Sequence, residues 1–580
     1  MTAFSARVDA FLGEFFALNP VVATGIGEHA HDGRWPDLSP AGRRQFLAFI
    51  DRWQAEFEGL KGLTEDEAID RDLLLTELAE ARFSETELRE LAWNPLDWVY
   101  LIGGGLFPLI SREFAPLEAR LRSMAARLDG IDAVVDAAIG ELVGHGGRPV
   151  ARLHTEKALE GLPGVIELAE EAIAAGEADP AAAGALPGLR AATDRAREAL
   201  GRFERHLRAV VLPSSDGEGR LGAALFSAKM GHTMRSDGLT PDRILEQAER
   251  EFGAVRAEMV RIAGTLWPAW CPGRERPADD GDLVRGVLDA IAADHPPADE
   301  LLDFCREELE RVQAFCRERQ LIGLADEPLD IRWTPTFLRS FGGAMLDSPG
   351  PLDRAEKAFF AITPVPDDWP PERKESYLRE DNARMLRLLT IHEAVPGHYL
   401  QGVYANRSPS LVRSIFSSGL FAEGWAVYVT QVMMDVGYGA EDPALLLTHW
   451  KFYLRSATNA MIDVRIHVHG MSEDEAVGLM VDGGFQEEAE ARAKYDRARL
   501  TSTQLSTYFV GSMEFWDIER EVRRRAAAAS DAPRGADAVP EPRLVGGFGD
   551  TPGFTYRPHL ESLISHGAPP TSFLRRILLG

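Results

Sequence analysis

Residues 391–401 read Ile391-His392-Glu393-Ala394-Val395-Pro396-Gly397-His398-Tyr399-Leu400-Gln401. Two imidazoles and a carboxylate fall within seven residues, and the preceding segment, Asp381 to Thr390, leads into them at helical spacing. Glu423, twenty-five positions after His398, falls in the stretch Phe421-Ala422-Glu423-Gly424-Trp425-Ala426. There a second carboxylate opens an apolar helical run through Val427, Val429, Val432 and Met433.

A catalytic zinc takes three protein ligands and leaves one position for water. In a regular His-Glu-x-x-His helix the histidines stand at i and i+4, about 40° apart around the axis. Here the second histidine comes at i+6, about 120° away on an ideal helix. Pro396 has no N–H, so the bond to the His392 carbonyl cannot form, and Gly397 permits backbone conformations that other residues avoid. The pair predicts a widened or broken turn that returns His398 to the face of His392. In this reading His392, His398 and Glu423 hold a zinc ion. Glu393 is the general base that takes a proton from the zinc-bound water. The competing reading is two ordinary polar histidines near a kinked helix end. The adjacent Glu393, the Pro-Gly interruption and the downstream Glu-Gly-Trp-Ala weigh against it.

His-Glu-Ala-Val-Pro-Gly-His-Tyr-Leu-Gln followed by Glu-Gly-Trp-Ala-Val-Tyr resembles the DUF885 family, a bacterial group placed in the zincin (gluzincin-like) metallopeptidase clan. The resemblance runs over most of the chain and is sharpest from Trp333 to Gly511. It implies a mostly helical fold, a zinc ion and a peptidase activity. It also implies a small sheet whose edge strand pairs with the substrate backbone. Leu454 to His467 resembles a family segment of the form Leu-Arg…Asp-x-x-x-His, with Asn459 where the pattern has a second Arg and Arg465 where it has Gly. Asp463 and His467, at i and i+4, can hydrogen-bond. His467 is therefore a candidate to stabilise an oxyanion or to support the glutamate ligand, with a structural Asp–His pair as the equal alternative. Thr503 to Gly511 resembles a segment ending in Tyr-x-x-Gly, although Ser502-Thr503 replaces the usual Pro-Gly. Tyr508 is the candidate donor opposite Glu393, against a buried structural tyrosine.

Composition bounds the rest. The 580 residues carry 63 basic and 91 acidic side chains, a formal net charge of −28. That balance argues against a nucleic-acid or anionic-membrane partner, which would want a basic face. Three cysteines, Cys271, Cys305 and Cys316, make no disulfide framework. The first residues lack a basic segment followed by an apolar one, and no stretch reaches the length of a membrane span. A cytoplasmic location is the expectation that follows.

Along the chain, amphipathic helices dominate, and Pro213 to Gly219 forms a loop that divides an N-terminal helical lobe, 1–212, from a catalytic region, 213–580. The His29/His31 pair in the turn-rich stretch 25–40 reads as surface decoration. Gly103-Gly104-Gly105 reads as a close helix junction, because no Lys-Ser/Thr follows it as a phosphate cradle requires. Thr240-Pro241 starts a helix as N-cap and first residue. Short β-prone runs at Asp330–Phe337 and Ala358–Thr363 predict a sheet just before the metal helix, and 531–553 reads as a long flexible loop.

The fold expected is mainly α, two helical lobes around a deep cleft, with a small antiparallel sheet beside the metal-binding helix. The expected function is zinc-dependent hydrolysis of a short peptide or peptide-like amide. The rivals are a related zinc enzyme acting on a specialised small molecule and a catalytically inactive helical binding protein.

Overall fold

The computed structural model describes residues 2–580 other than 237, 335–338, 340–342 and 531–546. The expected strand residues Pro335 to Phe337 and most of the expected loop 531–553 lie outside the described residues. Among the described residues the fold is mainly α, with one three-stranded sheet. Contacts divide the chain into two compact units.

The first unit takes in Met1–Gly219 and returns for Pro349–Lys357. It is built of long helices such as Pro40–Glu58, Leu117–Glu141 and Arg152–Ala178. Apolar side chains at helical spacing bury one face of each, and an aromatic ladder of Phe11, Phe49, Trp53 and Phe57 seals the N-terminal pair. The helix Glu65–Phe83 starts on a capping box between Thr64 and Glu67. The glycine triplet is helical. A Cβ on Gly105 would meet the Trp35 ring at 2.5 Å, so a packed junction is what the glycine serves. His29 is not decoration. Its Nδ1 lies 3.0 Å from Asp32 and its Nε2 3.0 Å from Asp353, and its ring stacks on Phe114 at 3.6 Å.

The second unit holds Arg220–Thr334, Phe341–Ser348 and Ala358–Gly580. Thr240 caps the helix Pro241–Trp270 as expected. Strands β1 (Leu329–Trp333), β2 (Ala344–Asp347) and β3 (Ala358–Ile362) form a sheet in the order β1-β3-β2. The sheet is mixed rather than antiparallel throughout: β1 runs parallel to β3, while β2 is antiparallel to it. Among the described residues β2 is thus an edge strand. Five helices build the site: α1 (Ala383–Glu393), α2 (His398–Asn406), α3 (Gly419–Asp435), α4 (Pro443–His469) and α5 (Gln504–Ala529). Asn382 caps α1 through Arg384 N and Met385 N. Arg387 of α1 pairs with the buried Glu308 on the helix Leu301–Glu318, and Tyr438 donates to the same carboxylate. A side-chain cap at one end and a buried ion pair along its length fix the rotation of α1, and with it the aim of His392.

Candidate metal centre

The helix breaks where the histidine spacing requires it. α1 stops at Glu393, Ala394 leaves helical geometry at φ −106° and ψ −92°, and α2 starts at His398. Two backbone bonds widen the turn, Gly397 N–H to the Ile391 carbonyl at 3.0 Å and Leu400 N–H to the Ala394 carbonyl at 3.3 Å, each spanning six residues. The Val395–Pro396 peptide is cis. Gly397 sits at φ −73° and ψ −138°, outside both the helical and the extended regions, as expected. A Cβ there would also stand 1.9 Å from the His392 carbonyl oxygen and 2.4 Å from that of Ile391. Trp425 then ties the break to α3, its indole N–H donating to the Pro396 carbonyl at 3.0 Å in a buried position.

The result brings both imidazoles to one carboxylate. The rings of His392 and His398 lie 4.8 Å apart at 82°. Their Nε2 atoms stand 3.9 and 3.5 Å from Glu423 Oε2. One ligand atom from each of His392, Glu393 and His398 also falls within 4.8 Å of the others. Donors around a tetrahedral zinc, with arms of about 2.0–2.2 Å, are separated by roughly 3.4 Å. The edges to Glu423 come near that value. Glu423 Oε2 is buried and makes no hydrogen bond, and His392 Nδ1 is buried without a partner as well. Buried polar atoms are nearly always partnered, so an orphaned carboxylate oxygen facing two imidazole nitrogens suits a shared cation. By distance either carboxylate qualifies as the third donor. Glu423 is orphaned in this position, whereas Glu393 accepts from the backbone N–H of Leu346 in β2.

The electrostatics sort the same groups. Burial and the neighbouring His398 push His392 down to about 3, so its ring is neutral, as a ligand must be. Burial lowers His398 too, but the contact with Glu423 and the charge of Glu393 outweigh it and leave it raised. Burial lifts Glu423, and the two histidines more than reverse that, holding it ionised. Glu393 lacks so strong a partner, and burial takes it up to about 7.

Helix α3 meets α5 glycine to glycine. A Cβ on Gly424 would lie 2.4 Å from Gly511 C, and one on Gly511 would lie 2.3 Å from the Leu420 carbonyl oxygen. Glu423 precedes the first glycine and Tyr508 stands one turn before the second, so the close crossing sets these two side chains against each other. Tyr508 lies close enough to Glu423 to feel its charge, and its hydroxyl accepts from Arg497 and Gln504, each at 3.4 Å. Burial and the Glu423 charge raise its hydroxyl above the usual tyrosine range.

His467 is occupied elsewhere. Its Nδ1 accepts from Leu221 N–H at 3.2 Å, its Nε2 donates to the Ala498 carbonyl at 2.8 Å, and its ring stacks on Phe226. Asp463 does not orient it. The two stand 3.9 Å apart, and the carboxylate instead accepts from Thr503 N–H, Ser506 N–H and the Ser506 hydroxyl. Asp463 therefore caps α5 from outside and so fixes the helix that carries Tyr508, although burial pushes its carboxyl up to about 7 despite these bonds. Sequence reasoning also missed Phe452 of α4, whose ring meets His392 edge-on at 5.4 Å. An aromatic residue within an apolar helix gives no local sign of that contact.

The family model that matches residues 20–534 is described as a bacterial protein of unknown function, DUF885. None of the curated proteins matches the chain. A solved structure from Shewanella oneidensis, described as a "putative lipoprotein of unknown function", is 30% identical over 100% of both chains, with a TM-score of 0.81. Another, from Colwellia psychrerythraea and described as a "putative lipoprotein", is 15% identical over 99% of this chain and 98% of its own, with a TM-score of 0.77. At that identity the second likeness shows the fold alone. These descriptions overturn the cytoplasmic expectation, because lipoproteins are anchored to membranes. Among the described residues no helix is long and apolar enough to cross a membrane. The reach of the family match and the full-length 30% relative agree: the chain belongs to the DUF885 family of bacterial proteins.

Proposed function

We propose that this protein is a zinc-dependent hydrolase that cleaves a peptide or peptide-like amide bond. The observation that carries the reading is the buried, unpartnered Glu423 Oε2 facing His392 Nε2 and His398 Nε2 at 3.9 and 3.5 Å. His392, His398 and Glu423 would hold the metal. Zinc, when bound, supplies a Lewis acid that polarises the scissile carbonyl and makes water a nucleophile near neutral pH.

The chain's own groups do the rest. Glu393 sits beside the three ligands with a carboxyl poised near neutrality. It takes the proton of the attacking water and returns it to the leaving amine. The Tyr508 hydroxyl, held by Arg497 and Gln504 next to Glu423, is the donor available to the developing oxyanion. Edge strand β2 touches the site through Leu346. An extended peptide adding to that edge would lie alongside the base, which supports a substrate recognised through its backbone.

The test is cleavage of a mixed short-peptide library, followed by mass spectrometry, using zinc-loaded parent and Glu393→Gln proteins. The reading expects defined products from the parent and at least about a hundredfold fewer from the variant. Equal product from both proteins, or no product from either, removes it.

A further inference from the structure

Helix α4 runs past the metal centre, and one stripe of it faces the site. Phe452 touches His392 at one end of the stripe, and Asp463 caps α5 at the other. Asn459 is seven residues from Phe452, within about 20° of the same direction and about 10 Å along the axis. It thus lies between the His392 end and the helix that carries Tyr508. Asn459 is only 6% exposed, and its Oδ1 has no hydrogen-bond partner. One turn away, Arg455 gives its Nη2 to Glu380 and Glu490, yet its buried Nε has no partner either.

Both groups are expensive to leave this way. A buried acceptor without a donor keeps the full cost of leaving water, and a leucine of similar size would avoid it. An unpaired acceptor and an unpaired donor, one helical turn apart on the helix that reaches His392 through Phe452, match the N–H and C=O of an amide. We infer that Asn459 and Arg455 form a substrate subsite that reads backbone: Asn459 Oδ1 accepts from a peptide N–H, and Arg455 Nε donates to a neighbouring carbonyl oxygen. The inference rests on the peptide-hydrolase reading and adds what that site recognises. Side chains at this position are then tolerated broadly, while the loss of one amide hydrogen is not.

The experiment uses the zinc-loaded protein and its Asn459→Leu variant. Each is given a peptide cleaved by the parent and a series in which single backbone amides are N-methylated. In the parent, methylation at one position should lower kcat/KM by about tenfold or more. In the variant the same methylation should change it less than about threefold, because the acceptor it offends is gone. Equal sensitivity in both proteins, or no sensitive position in the parent, overturns the inference. If N-acetylation removes cleavage while no internal methylation does, the occupant is a terminal ammonium and the amide assignment is wrong. Thermal unfolding gives a readout independent of turnover. Asn459→Leu should melt no lower than the parent, since it deletes an unsatisfied acceptor. A lower melting temperature would mean that Asn459 is part of the structure and would overturn the inference. A protein that cleaves no peptide would defeat the hydrolase reading, and the melting comparison would still decide whether Asn459 is built to bind.

Discussion

Gly397→Ala is the smallest change that attacks the ligand geometry. The new methyl would point at backbone: the His392 carbonyl oxygen at 1.9 Å, the Ile391 carbonyl oxygen at 2.4 Å and His392 C at 2.5 Å. None of these atoms can rotate away as a side chain can. To reach even 3.0 Å, the break between α1 and α2 must open by about 1.1 Å. That movement separates His392 from His398, since one flanks each side of the break. Metal sites hold their ligand distances within about 0.2 Å, so a shift of this size is several times what the site tolerates. The expected loss is about 100-fold in zinc affinity, or roughly 2.8 kcal/mol. It would be measured by competition against a chelator of known strength, with the fold monitored by circular dichroism. Gly402→Ala is the control, on α2 itself, where the nearest atom to a new Cβ is Ser348 Oγ at an ordinary 3.4 Å. It should bind zinc like the parent. If Gly397→Ala also binds zinc within threefold of the parent, the break does not set the ligand geometry and the reasoning fails.

Other changes test neighbouring parts of the account. Gly511→Ala would place a methyl 2.3 Å from the Leu420 carbonyl; forcing α3 from α5 should cost about 1–3 kcal/mol in urea unfolding, and an unchanged midpoint would mean that the crossing is looser than described. Trp425→Phe removes the buried indole bond to the Pro396 carbonyl and should destabilise by about 1–2 kcal/mol while weakening zinc binding; stability lost without any change in zinc affinity would detach Trp425 from the metal centre. A pH effect is expected at Asp381, which burial and the neighbouring Glu380 raise to about 7. Its folded-state pKa is above that of the unfolded chain, so the stability it contributes is complete below about pH 4 and is lost as pH rises toward about 7. Asp381→Asn cannot ionise and should gain on the parent over that window by at most about 4 kcal/mol, whereas an advantage that stays flat with pH would contradict the assignment.

How much of this was legible in the sequence depends on how local each interaction is. The break between His392 and His398 was readable because Pro396 and Gly397 act on their own backbone. The N-cap at Thr240 was readable for the same reason. Strands β1 and β3 showed as short β-prone runs, but β2 did not: every residue of it is half-buried, so it carries no alternation. The parallel pairing of β1 with β3 joins segments far apart in the chain, and no local pattern encodes it. His29 was misread because one of its partners, Asp353, is 324 residues away. Asp463 was assigned to the nearest histidine on its own helix. Its real partners are the first backbone N–H groups of α5, some 40 residues on. Glycine–glycine contact at Gly424 and Gly511 is likewise a tertiary fact. Either glycine alone reads only as a small residue in a helix.

The most direct measurement of the central claim is the zinc content of the purified protein and of two variants, by elemental analysis after dialysis against metal-free buffer. The account predicts about one zinc per chain in the parent and in Glu393→Gln, and loss of the metal in Glu423→Ala. A parent that holds no zinc, or a Glu423→Ala protein that keeps it as tightly as the parent, would contradict the account.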